Sequence, residues 1–214
     1  MTKNINMFKY AVQQDRHKRT FSVSELYRSF VFVPSVIAKV MGNRKSKLVD
    51  DHFKERLLLT ATGVNGSAAC ASLHTKISLK KGMSKEEIDS FLNGGTDFIK
   101  PEEANAIIFT KHFTDSRGYP QKNSYNEIVK EYGAPKARVI LAICQGILAG
   151  NIFGIPFSAF LARLQGKPYK NSSLFYELVM IIMGFVSFPI ALIHGVLRSI
   201  FGLPNERFDR TQQE

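Results

Sequence analysis

At 214 residues, 44% of them hydrophobic, the chain is long enough to bury a core without staples, and its size fits one domain or one domain plus an extension. Its two cysteines, Cys70 and Cys144, allow at most one disulfide, which excludes a secreted disulfide scaffold and makes a reducing cytoplasm the default compartment. The formal charge of +11 raises nucleic acid or an anionic membrane as partners, but the cations are scattered (Lys18 with Arg19, Arg44 with Lys45 and Lys47, Lys80 with Lys81). No run of them alternates with aromatics as a base-stacking strip would, so a solvated basic surface is expected and no specific nucleic-acid binding. The segment Met1 to Arg19 is charged without an apolar run, which is not the pattern of an ordinary secretory signal.

A first helix is predicted from about Ser24 to Met41, bent or divided by Pro34 and stopped at Gly42. A second runs from about Lys47 to Val64, with Leu57, Leu58 and Ala61 inward and Asn65-Gly66 at its end. A third spans about Ser67 to Lys81 and closes on Gly82. Ser84 with Glu87 reads as a capping box opening a short helix that ends at Asn93-Gly94-Gly95. Pro101, followed by Glu102 and Glu103, opens a fifth helix carrying Ala106, Ile107, Phe109 and Phe113. A sixth starts at Ser124 and ends at Gly133. No segment alternates as a strand does, so the class is all-α.

The last third is strongly apolar, from Val139 to Leu164 and from Leu174 to Phe201. In the first stretch Ala142, Gly146, Gly150, Gly154, Ser158 and Ala162 recur at every fourth position, a small-residue stripe where another helix can come close, and Pro156 is expected to kink it. In the second, Glu177, Gly184, Ser187, Ala191, His194 and Arg198 form a polar and small stripe on an otherwise apolar helix. Gly166 to Ser173, with Pro168, is the linker. The chain is accordingly divided into a helical domain over 1–166 and an apolar helical extension over 167–214.

Chemistry concentrates in Asn65-Gly66-Ser67-Ala68-Ala69-Cys70-Ala71-Ser72-Leu73-His74. Cys70 and His74 lie one helical turn apart, so both project from one face and the imidazole can take the thiol proton or stabilise the thiolate. Cys70 also sits in the first turn, where unpaired backbone N–H groups favour negative charge. The competing reading is a buried cysteine acting as a small hydrophobe beside a hydrogen-bonded histidine.

The wider pattern resembles the fingerprint of the alkylhydroperoxidase D-like and carboxymuconolactone decarboxylase family: a glutamate, eleven residues, a cysteine, two residues, a cysteine, three residues, a histidine, then a glycine closing the helix. Here Glu55 lies twelve positions before Ser67, Cys70 follows three later, His74 four after that, and Gly82 ends the helix. The resemblance covers about Ser46 to Gly166. It implies an alkylhydroperoxidase D-like helical bundle, homo-oligomers such as trimers or hexamers, and a peroxidase in which Cys70 is the nucleophile, His74 orients or deprotonates it, and Glu55 is the relay carboxylate. Ser67 departs from the family by standing where the first cysteine of the Cys-x-x-Cys pair is expected, and serine cannot form the internal disulfide.

A one-cysteine peroxidase recycled by an external thiol, a member with changed activity, and a replaced cysteine remain open. The residues themselves also allow Ser67 to be a helix cap and Glu55 a surface partner of Lys54 or Arg56. Cys144, inside an apolar helix, reads as a core cysteine rather than a resolving thiol. His52, His112 and His194 have no partners at ligand spacing, Asn93-Gly94-Gly95-Thr96 is no phosphate loop, and neither metal nor cofactor is expected. A thiol-dependent peroxidase is the favoured activity; a decarboxylase-type lyase and a non-catalytic membrane-associated protein are the alternatives. Leu174 to Ile193 reaches the length of a bilayer span with Glu177 as its one charge, so membrane contact through Leu174 to Phe201 stands beside the preferred reading of an oligomer interface.

Overall fold

The computed structural model describes residues 19–204 and 207–209, so the expectation for Met1 to Arg19 falls outside the described residues except at Arg19. Among the described residues the chain is all-α: α1 (Val23–Val31), α2 (Val33–Ser46), α3 (Asp51–Asn65), α4 (Ala68–Lys80), α5 (Lys85–Asn93), a 3₁₀ turn (Pro101–Glu103), α6 (Ala104–Asp115), α7 (Lys122–Leu164) and α8 (Leu174–Ile200).

Local chemistry sets most boundaries. Ser22 and Glu25 exchange hydrogen bonds in a full capping box at the start of α1. Pro34 divides the first predicted helix as expected: it occupies the first turn of α2, where its missing N–H has no intrahelical partner to lose. The stop expected at Gly42 is not there. The helix continues to Ser46 and ends on Lys47 in the left-handed region (φ 48°), because the Asn43 amide, three residues before that end, binds both backbone groups of Val49 (2.7 and 3.0 Å) and sets the turn. The next helix therefore starts at Asp51 rather than Lys47, with Asp50 Oδ1 accepting from the Phe53 N–H at 2.9 Å.

Ser84 caps α5 by accepting from the Glu87 N–H at 3.0 Å, while the Glu87 carboxylate goes to Arg56. Helix α7 begins at Lys122, slightly ahead of Ser124, and breaks at Gly133 (φ 74°, ψ 152°), where the sixth helix was predicted to end. Only glycine adopts that conformation without strain. Pro135 then opens the segment 134–164, and the backbone stays helical through Pro156, where a kink was expected. Helix α7 is the hub, packed against α1, α2, α3, α4, α6 and α8 with Ile140, Leu141, Cys144 and Ile152 fully buried. Burying each large aliphatic side chain there stabilises the fold by about 1.5–3 kcal/mol.

Tertiary ion pairs tie distant segments. Arg117, itself left-handed (φ 56°), binds Glu25 through Nε (2.5 Å) and Nη2 (3.0 Å), joining α1 to the turn after α6. Burial pushes the Glu25 carboxyl up, but the bonds from Arg117 and Ser22 outweigh it and hold its pKa at about 2 against an ordinary 4.5. A lowered carboxyl pKa adds stability that is complete above the unfolded value and disappears as pH falls through the folded one. Glu25→Gln is thus expected to flatten the acid limb of the unfolding profile between pH 4.5 and about 2. Allowing for solvent screening, the loss at neutral pH should be about 1–2 kcal/mol by urea titration.

Candidate active site

The left-handed Gly66 (φ 73°) reverses the chain after α3, and Ser67 caps α4, its Oγ accepting from the Cys70 N–H at 3.5 Å. That is the cap role the sequence allowed for Ser67. Because α4 packs back along α3, residues 19 positions apart meet: His74 Nδ1 lies 3.0 Å from Glu55 Oε2.

Glu55 is 2% exposed and fully engaged, its other oxygen accepting from Lys81 Nζ at 2.9 Å. Lys81 continues to Asp51 Oδ1 at 3.0 Å, and Lys54 closes on the same oxygen at 2.6 Å. Burial raises the Glu55 carboxyl, yet the hydrogen bonds from His74 and Lys81 prevail and keep it below its ordinary range. Glu55 is therefore an ionised carboxylate at neutral pH that fixes the imidazole through one nitrogen. The surface-pair reading of Glu55 falls away: Lys54 serves Asp51, and Arg56 is buried on Glu87 and Glu103.

Lys81 and Asp51 complete this network and were not anticipated. Lys81 stands seven residues after His74 and Asp51 four before Glu55, so helical spacing alone aligns each with its neighbour on one face.

Cys70 lies in a separate apolar cluster with Ala61 and Ile147, bordered by Leu58. Burial pushes its thiol pKa up, and a hydrogen bond from the Ser67 side chain pulls the other way without overcoming it. The thiol is consequently protonated at rest. His74 shares its face, but among the described residues no hydrogen bond joins the two side chains; the contact that the spacing permits is not made in this state.

The small-residue stripe of α7 forms the wall opposite. A methyl group built on Gly150 would sit 3.7 Å from Cys70 Sγ, whereas one on Gly154 would meet Ser67 Oγ at 3.0 Å, Cys70 Sγ at 3.4 Å and Ala69 Cβ at 3.6 Å. Gly150→Ala is expected to stabilise the protein by about 0.5–1 kcal/mol through helix propensity. Gly154→Ala should instead cost about 1 kcal/mol and slow Cys70 alkylation several-fold, because it presses on the slot that holds Ser67 and the thiol. Urea unfolding and iodoacetamide kinetics on the two variants check the pair.

Cys144 is a core cysteine, fully buried with Sγ 3.3 Å from Thr110 Oγ1 and its pKa pushed up to about 12 by burial. The other histidines among the described residues have structural partners: His52 Nε2 lies 2.7 Å from the Lys81 carbonyl oxygen, His112 Nε2 accepts from the Gln121 N–H at 3.0 Å, and His194 Nδ1 lies 3.0 Å from the Tyr27 hydroxyl. Among the described residues no group of three His, Cys, Asp or Glu side chains is placed to hold a metal ion.

No curated protein and no solved structure matches the chain. The model of the carboxymuconolactone decarboxylase family matches residues 38–111, a stretch that holds Asp51, Glu55, Ser67, Cys70, His74 and Lys81, the whole of the network just described. Over that segment, about a third of its length, this chain is similar to the carboxymuconolactone decarboxylase family.

Proposed function

We propose that the chain reduces hydroperoxides through Cys70 as a one-cysteine thiol peroxidase, with His74 as base and Glu55 as the residue that orients it. The observation that supports this most is the 3.0 Å contact between His74 Nδ1 and the buried, ionised Glu55, one helical turn from the thiol. A carboxylate on Nδ1 selects the tautomer that leaves Nε2 to take up a proton. Such a base is what a thiol held protonated by burial requires.

The chemistry balances without a cofactor. Cys70 Sγ attacks the terminal oxygen of ROOH, an S–O bond forms and the O–O bond breaks. The thiol proton passes through His74 to the departing oxygen, giving ROH and a Cys70 sulfenic acid. One external thiol condenses with the sulfenic acid to release water and form a mixed disulfide, and a second thiol displaces Cys70 from it. Ser67 supplies no resolving sulfur, so the external reductant is obligatory.

Acid/base lyase chemistry is the second reading, favoured by the missing hydrogen bond between Cys70 and His74 and by a Glu55, His74 and Lys81 network that needs no thiol. Consumption of cumene hydroperoxide with excess dithiothreitol, in protein carrying Cys144→Ser, separates the two. Turnover is expected to vanish with Cys70→Ala and to fall about 100-fold with Glu55→Gln. Hydroperoxide turnover indifferent to Cys70→Ala, or absent from the parent protein, would sink the peroxidase reading.

A further inference from the structure

Of the polar and small stripe on α8, Glu177, Gly184, Ser187 and Ala191 face inward, whereas His194 is exposed and Arg198 half-buried. Gly195 is buried as well, and Glu177 is paired to Arg163 at 2.8 Å. Outside stand Ile182 (56% exposed), Phe185 (67%) and Ile193 (64%), and from Leu178 to Ile193 every exposed side chain of the helix is apolar.

At 3.6 residues per turn these exposed positions sweep roughly 200° of the helix circumference over a length of about 24 Å. A partner helix needs only a stripe of about 100°. Protein interfaces also carry about one hydrogen bond per 100–200 Å², for which this arc offers no side chain. A fluid apolar phase matches so wide and dry an arc better than a single partner helix does.

Charge points the same way. The linker before α8 exposes Lys167 and Lys170, and the whole chain is at +11. Beside the C-terminal part of α8, a groove between α8 and α2 is lined by Pro34, Ala38 and Lys39 with Val196 and Ile200, and α2 carries Arg44 and Lys45 in its last turn. A crossing of the bilayer is disfavoured because α1, packed along α8, would take Glu25 and Arg28 into hydrocarbon with it.

We propose that α8 lies in the plane of a membrane interface, its exposed arc among acyl chains and its flanking cations on anionic lipid headgroups. The test is flotation of the full chain with vesicles of phosphatidylcholine mixed equally with phosphatidylglycerol, against vesicles of phosphatidylcholine alone. The chain should float with the anionic vesicles and bind the neutral ones roughly tenfold or more weakly. Ile182→Glu combined with Ile193→Glu should abolish flotation while circular dichroism stays unchanged, since both positions face outward.

The chain contains no tryptophan, so Phe185→Trp supplies a single reporter whose emission should shift to the blue on adding anionic vesicles. A chain that stays at the bottom of the gradient with unshifted emission overturns the proposal. It does so most directly if sedimentation velocity shows an oligomer that the double glutamate variant dissociates, because a second copy would then cover the face. Equal binding to neutral vesicles would overturn the role given to the cations.

Discussion

Replacing Arg56 by methionine is expected to destabilise the protein by about 3–5 kcal/mol, the cost of leaving a buried charge without its partner. The guanidinium is 5% exposed, with Nη1 on both oxygens of Glu103 (2.8 and 3.0 Å) and Nε on Glu87 at 2.8 Å. One side chain of α3 thereby holds the start of α5 and the 3₁₀ turn before α6. Burial already pushes the Glu103 carboxyl above its ordinary value against the pull of Arg56.

Without Arg56 that rise should grow, and the sign of the pH dependence follows. A raised carboxyl pKa means that the folded state binds the proton more tightly, so stability increases as pH falls toward the unfolded value. Urea unfolding of Arg56→Met should show partial recovery on acidification from neutrality toward pH 4.5, the ordinary value for Glu103. Adding Glu87→Gln and Glu103→Gln should recover much of the loss at neutral pH, because neutral side chains there need no counter-ion. A variant as stable as the parent at neutral pH would contradict this account of the triad.

Gly195→Ala should have the other large effect, about 2–3 kcal/mol of destabilisation from overpacking. A methyl group at that position would overlap the Val31 carbonyl oxygen and meet the Pro34 ring at 3.0 Å. Backbone cannot swing aside as a flexible side chain does, so α8 would have to lift from α1 and α2, breaking the Tyr27–His194 hydrogen bond. The helix-propensity gain of at most about 1 kcal/mol does not offset that. Limited proteolysis should then cut the linker between α7 and α8 faster than in the parent, and urea unfolding should give the cost directly. The same substitution at Gly150 is expected to stabilise, so only what faces each glycine decides the sign.

Helix ends were legible where one residue supplies the cap or the turn. Ser67, Ser84, Gly66, Gly94 and Gly133 act on backbone groups within a few positions, and each boundary falls at or next to them. Gly42 misled because an exposed glycine is tolerated inside a helix at about 1 kcal/mol. The actual stop depends on Asn43 reaching Val49, a bond that spacing does not advertise. At the site, Cys70 and His74 were readable from their one-turn spacing and Glu55 from the family resemblance, whereas the Lys81 and Asp51 closure was not, since charged residues at helical intervals are usually solvated.

The sequence by itself determined the all-α class, many of the helix ends, and which side chains share a face, because caps, glycine turns and 3.6-residue periodicity operate over a few residues. Tertiary structure decided the rest. It chose Glu103 and Glu87 rather than a neighbour for Arg56, turned Glu177, Gly184, Ser187 and Ala191 of the α8 stripe inward while leaving His194 exposed, and raised the Cys70 thiol by closing Ala61, Ile147 and the α7 glycines around it. Burial and ion pairing depend on groups far apart in the chain that only the packed fold brings within a few ångströms.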